Sequence, residues 1–78
     1  MRLLREPEVR KAFGYRSTTS VYNSLSEGLI TKPIRIGQRA VAWPEVEIEL
    51  IIGARIAGKT DEQIKQLVSN LTARRVME

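Results

Sequence analysis

The sequence predicts a mainly α-helical domain that carries one small β-hairpin, and three observations predict it. Apolar residues recur at helical spacing in four stretches, the period shortens towards two residues between Ile30 and Trp43, and glycine or proline stands at the joins. The 78 residues are expected to form a single unit over 1–78. A chain of this size buries only roughly 60% of the surface its unfolded form exposes, which leaves little room for a deep catalytic pocket.

The first helix is expected from about Pro7 to Phe13. Proline suits a helix start because its missing N–H would be unpaired there anyway. Val9, Ala12 and Phe13 share one face, and Gly14 can end the helix in a left-handed cap. A second helix opens a few residues later, within Arg16 to Gly28. Val21 and Leu25, four apart, are its buried side, while Arg16, Ser17, Thr18, Thr19, Ser20, Tyr22 and Asn23 crowd its start with hydrogen-bonding groups. One hydroxyl suffices to cap a helix, so the others are available to touch something else. Two short helices joined by a tight glycine-containing turn form a helix-turn-helix, whose second helix is the one presented to a DNA major groove.

Ile30, Ile34 and Ile36 then alternate with Thr31, Lys32, Pro33 and Arg35 as extended chain. Gly37-Gln38-Arg39 makes a turn, and Ala40-Val41-Ala42-Trp43 returns as a second strand with Val41 and Trp43 on one face. Such a hairpin is marginal alone and must lie on apolar surface, here expected to be that of Phe13, Val21 and Leu25. Trp43 is its anchor. Lys32, Arg35, Gln38 and Arg39 give the hairpin a cationic outer face and tip, which describes a wing beside a recognition helix, although cations at loop tips and sheet edges also serve to keep strands from pairing.

Pro44 is expected to start a third helix, with Glu45 and Glu47 complementing the positive end of its dipole. Val46, Leu50, Ile51 and Ala54 are its expected buried stripe. Glu45, Glu47 and Glu49 are two apart, so they fan round the helix, and no neighbouring base or histidine joins them into a catalytic pair. After Gly58, Thr60 and Gln63 have capping-box spacing. A fourth helix runs from there to about Arg75. Its stripe of Ile64, Leu67, Val68 and Leu71 faces either Ile48, Ile52 and Ile56 of the same chain or a neighbouring protein.

Cysteine and histidine are absent, which removes disulfides, thiolate and imidazole ligands, and the commonest general base. No apolar run is long enough for a bilayer, and the first residues break into charge before a signal-peptide core could form. A cytoplasmic, nucleoid-associated protein without metal or cofactor is expected. Net charge is +4 and unevenly placed. Residues 1–43 hold eight Lys or Arg against three Glu, a net of +5, and residues 44–78 hold five against six acids, a net of −1. The basic half contains the polar helix and the wing, where phosphate neutralisation would operate.

The ordered run of Ser20-Val21-Tyr22, Glu27-Gly28, Lys32-Pro33-Ile34-Arg35-Ile36-Gly37-Gln38-Arg39-Ala40-Val41-Ala42-Trp43, then Glu45 with Glu47-Ile48, closely resembles the AlpA-like phage regulators. The resemblance covers residues 3–57, leaving 58–78 as a C-terminal helical extension. It implies a winged helix-turn-helix of the excisionase-like and MerR-like kind, mainly α with a small β-hairpin. It also implies a non-enzymatic protein that binds double-stranded DNA, activating transcription of a recombinase gene or biasing an integrase towards excision. Two positions depart from the pattern. Asn23 stands where arginine often follows the tyrosine, and the turn Gly14-Tyr15-Arg16-Ser17 is longer than usual; asparagine pairs bidentately with adenine where arginine favours guanine.

The expected DNA-contacting residues are therefore Arg16, Ser17, Thr18, Thr19, Tyr22 and Asn23 on the helix, and Lys32, Arg35, Gln38 and Arg39 on the hairpin. Hydroxyls and arginines mainly grip phosphate, and Thr19 and Asn23 are placed for base edges. Further expected partners are an integrase, or a second copy on adjacent DNA. The alternative is an adaptor that recruits an integrase or polymerase through its C-terminal helix.

Overall fold

The computed structural model describes the backbone of residues 2–77 and the side chains of residues 2–75. Strand β1 (Leu3–Leu4) leads into α1 (Glu6–Phe13) and α2 (Thr18–Ser26). Strands β2 (Ile34–Arg35) and β3 (Val41–Pro44) form the hairpin, and α3 (Glu45–Ile56) and α4 (Asp61–Met77) complete the chain. This is a winged helix-turn-helix with an added C-terminal helix, mainly α as the apolar spacing predicts.

Helix α1 stops because Gly14 takes a φ of +75°, open to glycine and costly to a side chain. There the Gly14 N–H donates to the Lys11 carbonyl and the Tyr15 N–H to the Arg10 carbonyl, the paired bonds that close a helix end. Gly28 repeats the device for α2, with its own N–H on Leu25 and that of Leu29 on Ser24. The four-residue turn 14–17 is tied back by Tyr15, whose hydroxyl hydrogen-bonds Ser24 Oγ at 2.8 Å and whose ring stacks on Phe13. Ser24 is accordingly buried beside Val21, a polar member of the core side that the spacing of Val21 and Leu25 does not reveal. Ala12, expected on the inner face of α1, is exposed.

The sheet has three strands in the order β1-β3-β2, both pairs antiparallel, with Leu3 opposite Pro44, Leu4 opposite Trp43, Ile34 opposite Ala42 and Arg35 opposite Val41. The N-terminal strand is too short for a period to announce it. It makes β3 central, so both Ala42 and Trp43 are fully buried. Strand β2 is shorter than the alternation from Ile30 predicts. In this register Lys32 would face Pro44, which has no N–H to offer, and Pro33 has none either. Leu29, Ile30 and Thr31 are instead buried in an irregular segment, where the Trp43 indole N–H donates to the Thr31 carbonyl at 2.7 Å.

The core gathers Leu4, Val9, Val21, Ile30, Trp43, Ile48, Ile51, Ile64 and Leu71, each large side chain worth about 1.5–3 kcal/mol when fully buried. One polar atom there has no partner among the described residues, the Thr31 hydroxyl. Because an unpaired buried hydroxyl retains its desolvation cost, Thr31→Val is expected to raise stability by about 1 kcal/mol in urea titration; a loss of stability would show that the hydroxyl is paired in solution.

Helix α3 buries only part of the expected stripe, Ile51 in the core and Ala54 packed against it. Glu47, Ile48 and Ile51 are buried, Val46 and Leu50 are exposed, and Ile56 is 82% exposed. Apolar residues lie nearly all round this helix, so periodicity selects no face; the strand does, because Pro44 is both the last residue of β3 and the N-cap of α3. Helix α4 starts with the expected capping box, Gln63 Oε1 accepting from the Thr60 N–H at 2.9 Å and Thr60 Oγ1 from the Gln63 N–H at 3.2 Å. Its stripe is used within the chain, with Ile64 and Leu71 buried in the core and Leu67 and Val68 packed against it.

Glu47 is the chief correction to the reading of α3. Expected only to complement the helix dipole, it is 6% exposed, and its carboxylate accepts from Arg75 Nε at 2.9 Å and, through its other oxygen, from Arg75 Nη2. The partner that sequence reasoning found missing lies 28 residues away on α4.

Candidate nucleic-acid interface

Helix α2 separates its residues into two arcs. At about 100° per residue, Thr18, Tyr22, Ser26, Thr19 and Asn23 follow one another round roughly 140° of its surface, and all five are exposed. Ser20, Val21, Ser24 and Leu25 occupy the opposite side and are buried or half-buried. The cap is Ser17, whose Oγ accepts from the Ser20 N–H at 3.4 Å and lies 3.3 Å from Ser20 Oγ. Two of the start's hydroxyls are therefore engaged with one another, and Thr18 and Thr19 have no hydrogen-bond partner among the described residues.

Tyr22 joins the helix to the sheet. Its ring meets Trp43 edge-on with centroids 6.5 Å apart, and 43% of the residue stays exposed. A buried tryptophan thus props the outer arc of α2 at its middle. Beyond β2 the hairpin closes with the Ile36 N–H on the Ala40 carbonyl at 2.9 Å, and Arg35 reaches across the tip to the Gln38 carbonyl at 3.4 Å. Lys32, Arg35, Gln38 and Arg39 are all exposed.

The cations divide into those with a carboxylate partner and those without. Arg2, Arg10, Arg55, Lys65 and Arg75 each stand within 4 Å of a carboxylate. Among the described residues Arg16, Lys32, Arg35 and Arg39 have no such partner, so their charge faces solvent. Outside this region Arg5, Lys11, Lys59 and Arg74 also lack one among the described residues. All ten sequence-predicted residues are accessible, on one helix arc and its N-terminal approach or on one hairpin. Sequence reasoning missed the residues that hold this surface from behind, Tyr15 with Ser24, and Arg75 with Glu47. Neither pair has a periodic signal, because each joins elements across a turn or across the fold.

Among the described residues no three acids, histidines or cysteines converge as a metal site, and no helix is long and apolar enough to cross a membrane. A family model described as prophage CP4-57 regulatory protein (AlpA) matches residues 2–56. The chain belongs to the AlpA family. It is accordingly a phage regulatory protein of a DNA-binding family, with double-stranded DNA as its partner. The AlpA match takes in both helices of the helix-turn-helix, the hairpin and α3, and stops before α4. No curated protein and no solved structure matches the chain.

Proposed function

We propose that this AlpA-family chain reads a specific double-stranded DNA site with α2 in the major groove and the β2–β3 hairpin on the neighbouring backbone or minor groove. The observation that supports it most is the set of exposed cations without a carboxylate partner among the described residues, Arg16, Lys32, Arg35 and Arg39, together with an exposed arc of hydroxyl and amide groups on α2. Arg16, Ser17, Thr18 and Tyr22 position the helix on phosphates, Thr19 and Asn23 address base edges, and Lys32, Arg35, Gln38 and Arg39 hold the wing. As a site-specific binder of phage or mobile-element type, it acts as a transcription regulator, as an excision factor, or as both on different sites.

Mapping its sites across a host genome separates these roles: occupancy at a recombinase promoter supports the regulator, and occupancy between recombination arms the excision factor. At the level of residues, Arg39→Ala is expected to weaken duplex binding and lower the salt slope by about 1, similarly for specific and random DNA. Asn23→Ala should cost about 1–3 kcal/mol on the specific site and much less on random DNA. Unchanged affinity in the Arg39 variant would reject the wing contact, and equal losses on both DNAs in the Asn23 variant would reject base reading there.

The adaptor alternative draws less support, because the apolar stripe of α4 that would recruit an integrase or polymerase is engaged in the chain's own core. Removing residues 60–78 would strip Ile64 and Leu71 from that core, so a lost partner in that variant would not separate lost recruitment from lost folding. Partner recruitment is therefore better tested on the intact chain, by whether an integrase shifts the protein–DNA complex.

A further inference from the structure

The chain from Thr31 to Pro33, which carries α2 over to the wing, has no strand partner of its own, and two side chains from elsewhere hold it. The Trp43 indole takes the Thr31 carbonyl. Arg75 Nη1 donates to the Lys32 carbonyl at 2.9 Å, while the same guanidinium is gripped by the buried Glu47 carboxylate through Nε and Nη2. We infer that Arg75 is a positioning residue for the wing: α4, outside the segment that matches the family, sets where the hairpin stands when it meets DNA.

The geometry carries this in three steps. Glu47 fixes the guanidinium in two directions, so Arg75 presents its remaining Nη1 to one backbone oxygen and not to a range of them. Glu47 lies in the first turn of α3, which starts directly from β3, so the clasp joins α4, the α3–β3 junction and the root of β2 at one point. Pro33 follows Lys32 and donates nothing to the sheet. Without Arg75 the root of β2 keeps only the Trp43 bond to Thr31 and the two residue pairs of the ladder. Lys32 and Arg35, whose side chains the wing offers to phosphate, would then explore a wider range of positions.

The inference rests on the reading of the hairpin as the DNA-touching wing, and its test separates the two. Amide hydrogen exchange on the free protein is compared for native chain, Arg75→Ala and Arg75→Lys, since a lysine ammonium keeps the charge but cannot span Glu47 and the Lys32 carbonyl in the same fork. Both variants are expected to speed exchange of the Ile36 amide and its hairpin neighbours about tenfold while α1 and α2 amides change far less. On duplex DNA both should bind about tenfold more weakly, with a salt slope lower by about 1 to 2. Unchanged hairpin exchange, equal acceleration throughout the molecule, or unfolding of both variants would overturn the inference, the last two by making Arg75 a support of the whole fold. If Lys32→Ala and Arg39→Ala leave DNA binding untouched, the wing reading fails instead, and the exchange comparison still decides the clasp.

Discussion

Trp43→Ala is expected to cost about 3–5 kcal/mol, the usual range for emptying a buried tryptophan site. The domain's total stability is expected to be about 4–12 kcal/mol for 78 residues, so the variant should be largely unfolded on mild heating. Two losses combine. The side chain is fully buried at the centre of the three-stranded sheet, and its indole N–H is the donor that holds the Thr31 carbonyl. Trp43→Phe separates them, since it keeps an aromatic ring but orphans that carbonyl, and it should cost about 1–3 kcal/mol. Because Trp43 is the lone tryptophan, unfolding must be followed by circular dichroism and not by fluorescence. A Trp43→Ala chain as stable as the native one would mean that the hairpin is not anchored through this residue. A folded variant with weakened DNA binding would place its main effect on Tyr22, which rests edge-on against it.

The second large effect is on binding. Duplex affinity should fall by about two to three orders of magnitude between 50 and 200 mM monovalent salt, corresponding to a slope of log K against log salt of roughly −3 to −5. That slope is what three to five neutralised phosphates release as counterions, and Arg16, Lys32, Arg35 and Arg39 with their charges unpaired can supply it. Fluorescence anisotropy on a labelled duplex measures it directly. A slope near zero would mean that no phosphate is neutralised and would remove the ground for placing DNA on this face. A slope well beyond −5 would require cations elsewhere, for which exposed Arg5, Lys11 and Arg74 are the first to substitute.

Much of this protein was legible in its residues. The turn at Gly14, the cap at the start of α2 and the Thr60–Gln63 box are local features, decided by backbone conformation and by spacing within one or two turns, and each stands where the residues place it; that the stripe of α4 packs on its own chain, which spacing left open, was decided by the fold. The ten candidate residues are all exposed, as the polar arc of α2 beside Val21 and Leu25 and the cationic hairpin suggest. What local spacing left open was which of several apolar faces goes inside. Helix α3 carries isoleucine, leucine and valine nearly all round, and only its rigid start from Pro44 turns Ile48 and Ile51 inward and leaves Val46 and Leu50 out.

Tertiary structure alone decided the pairings between residues far apart in the chain. Leu3 and Leu4 become a strand only because β3 lies alongside them, and β2 begins no earlier than Ile34 because Pro33 has no N–H and Lys32 would face Pro44. Glu47 reads as an acid that merely complements a helix dipole until Arg75, 28 residues later, reaches it and the Lys32 carbonyl together. The sequence by itself determined the four helices, their main caps and the exposed polar arc of α2, since these follow from short-range sterics and side-chain chemistry. How that face is held from behind depends on hydrogen bonds that satisfy buried polar groups across the fold, and no spacing within a single element encodes them.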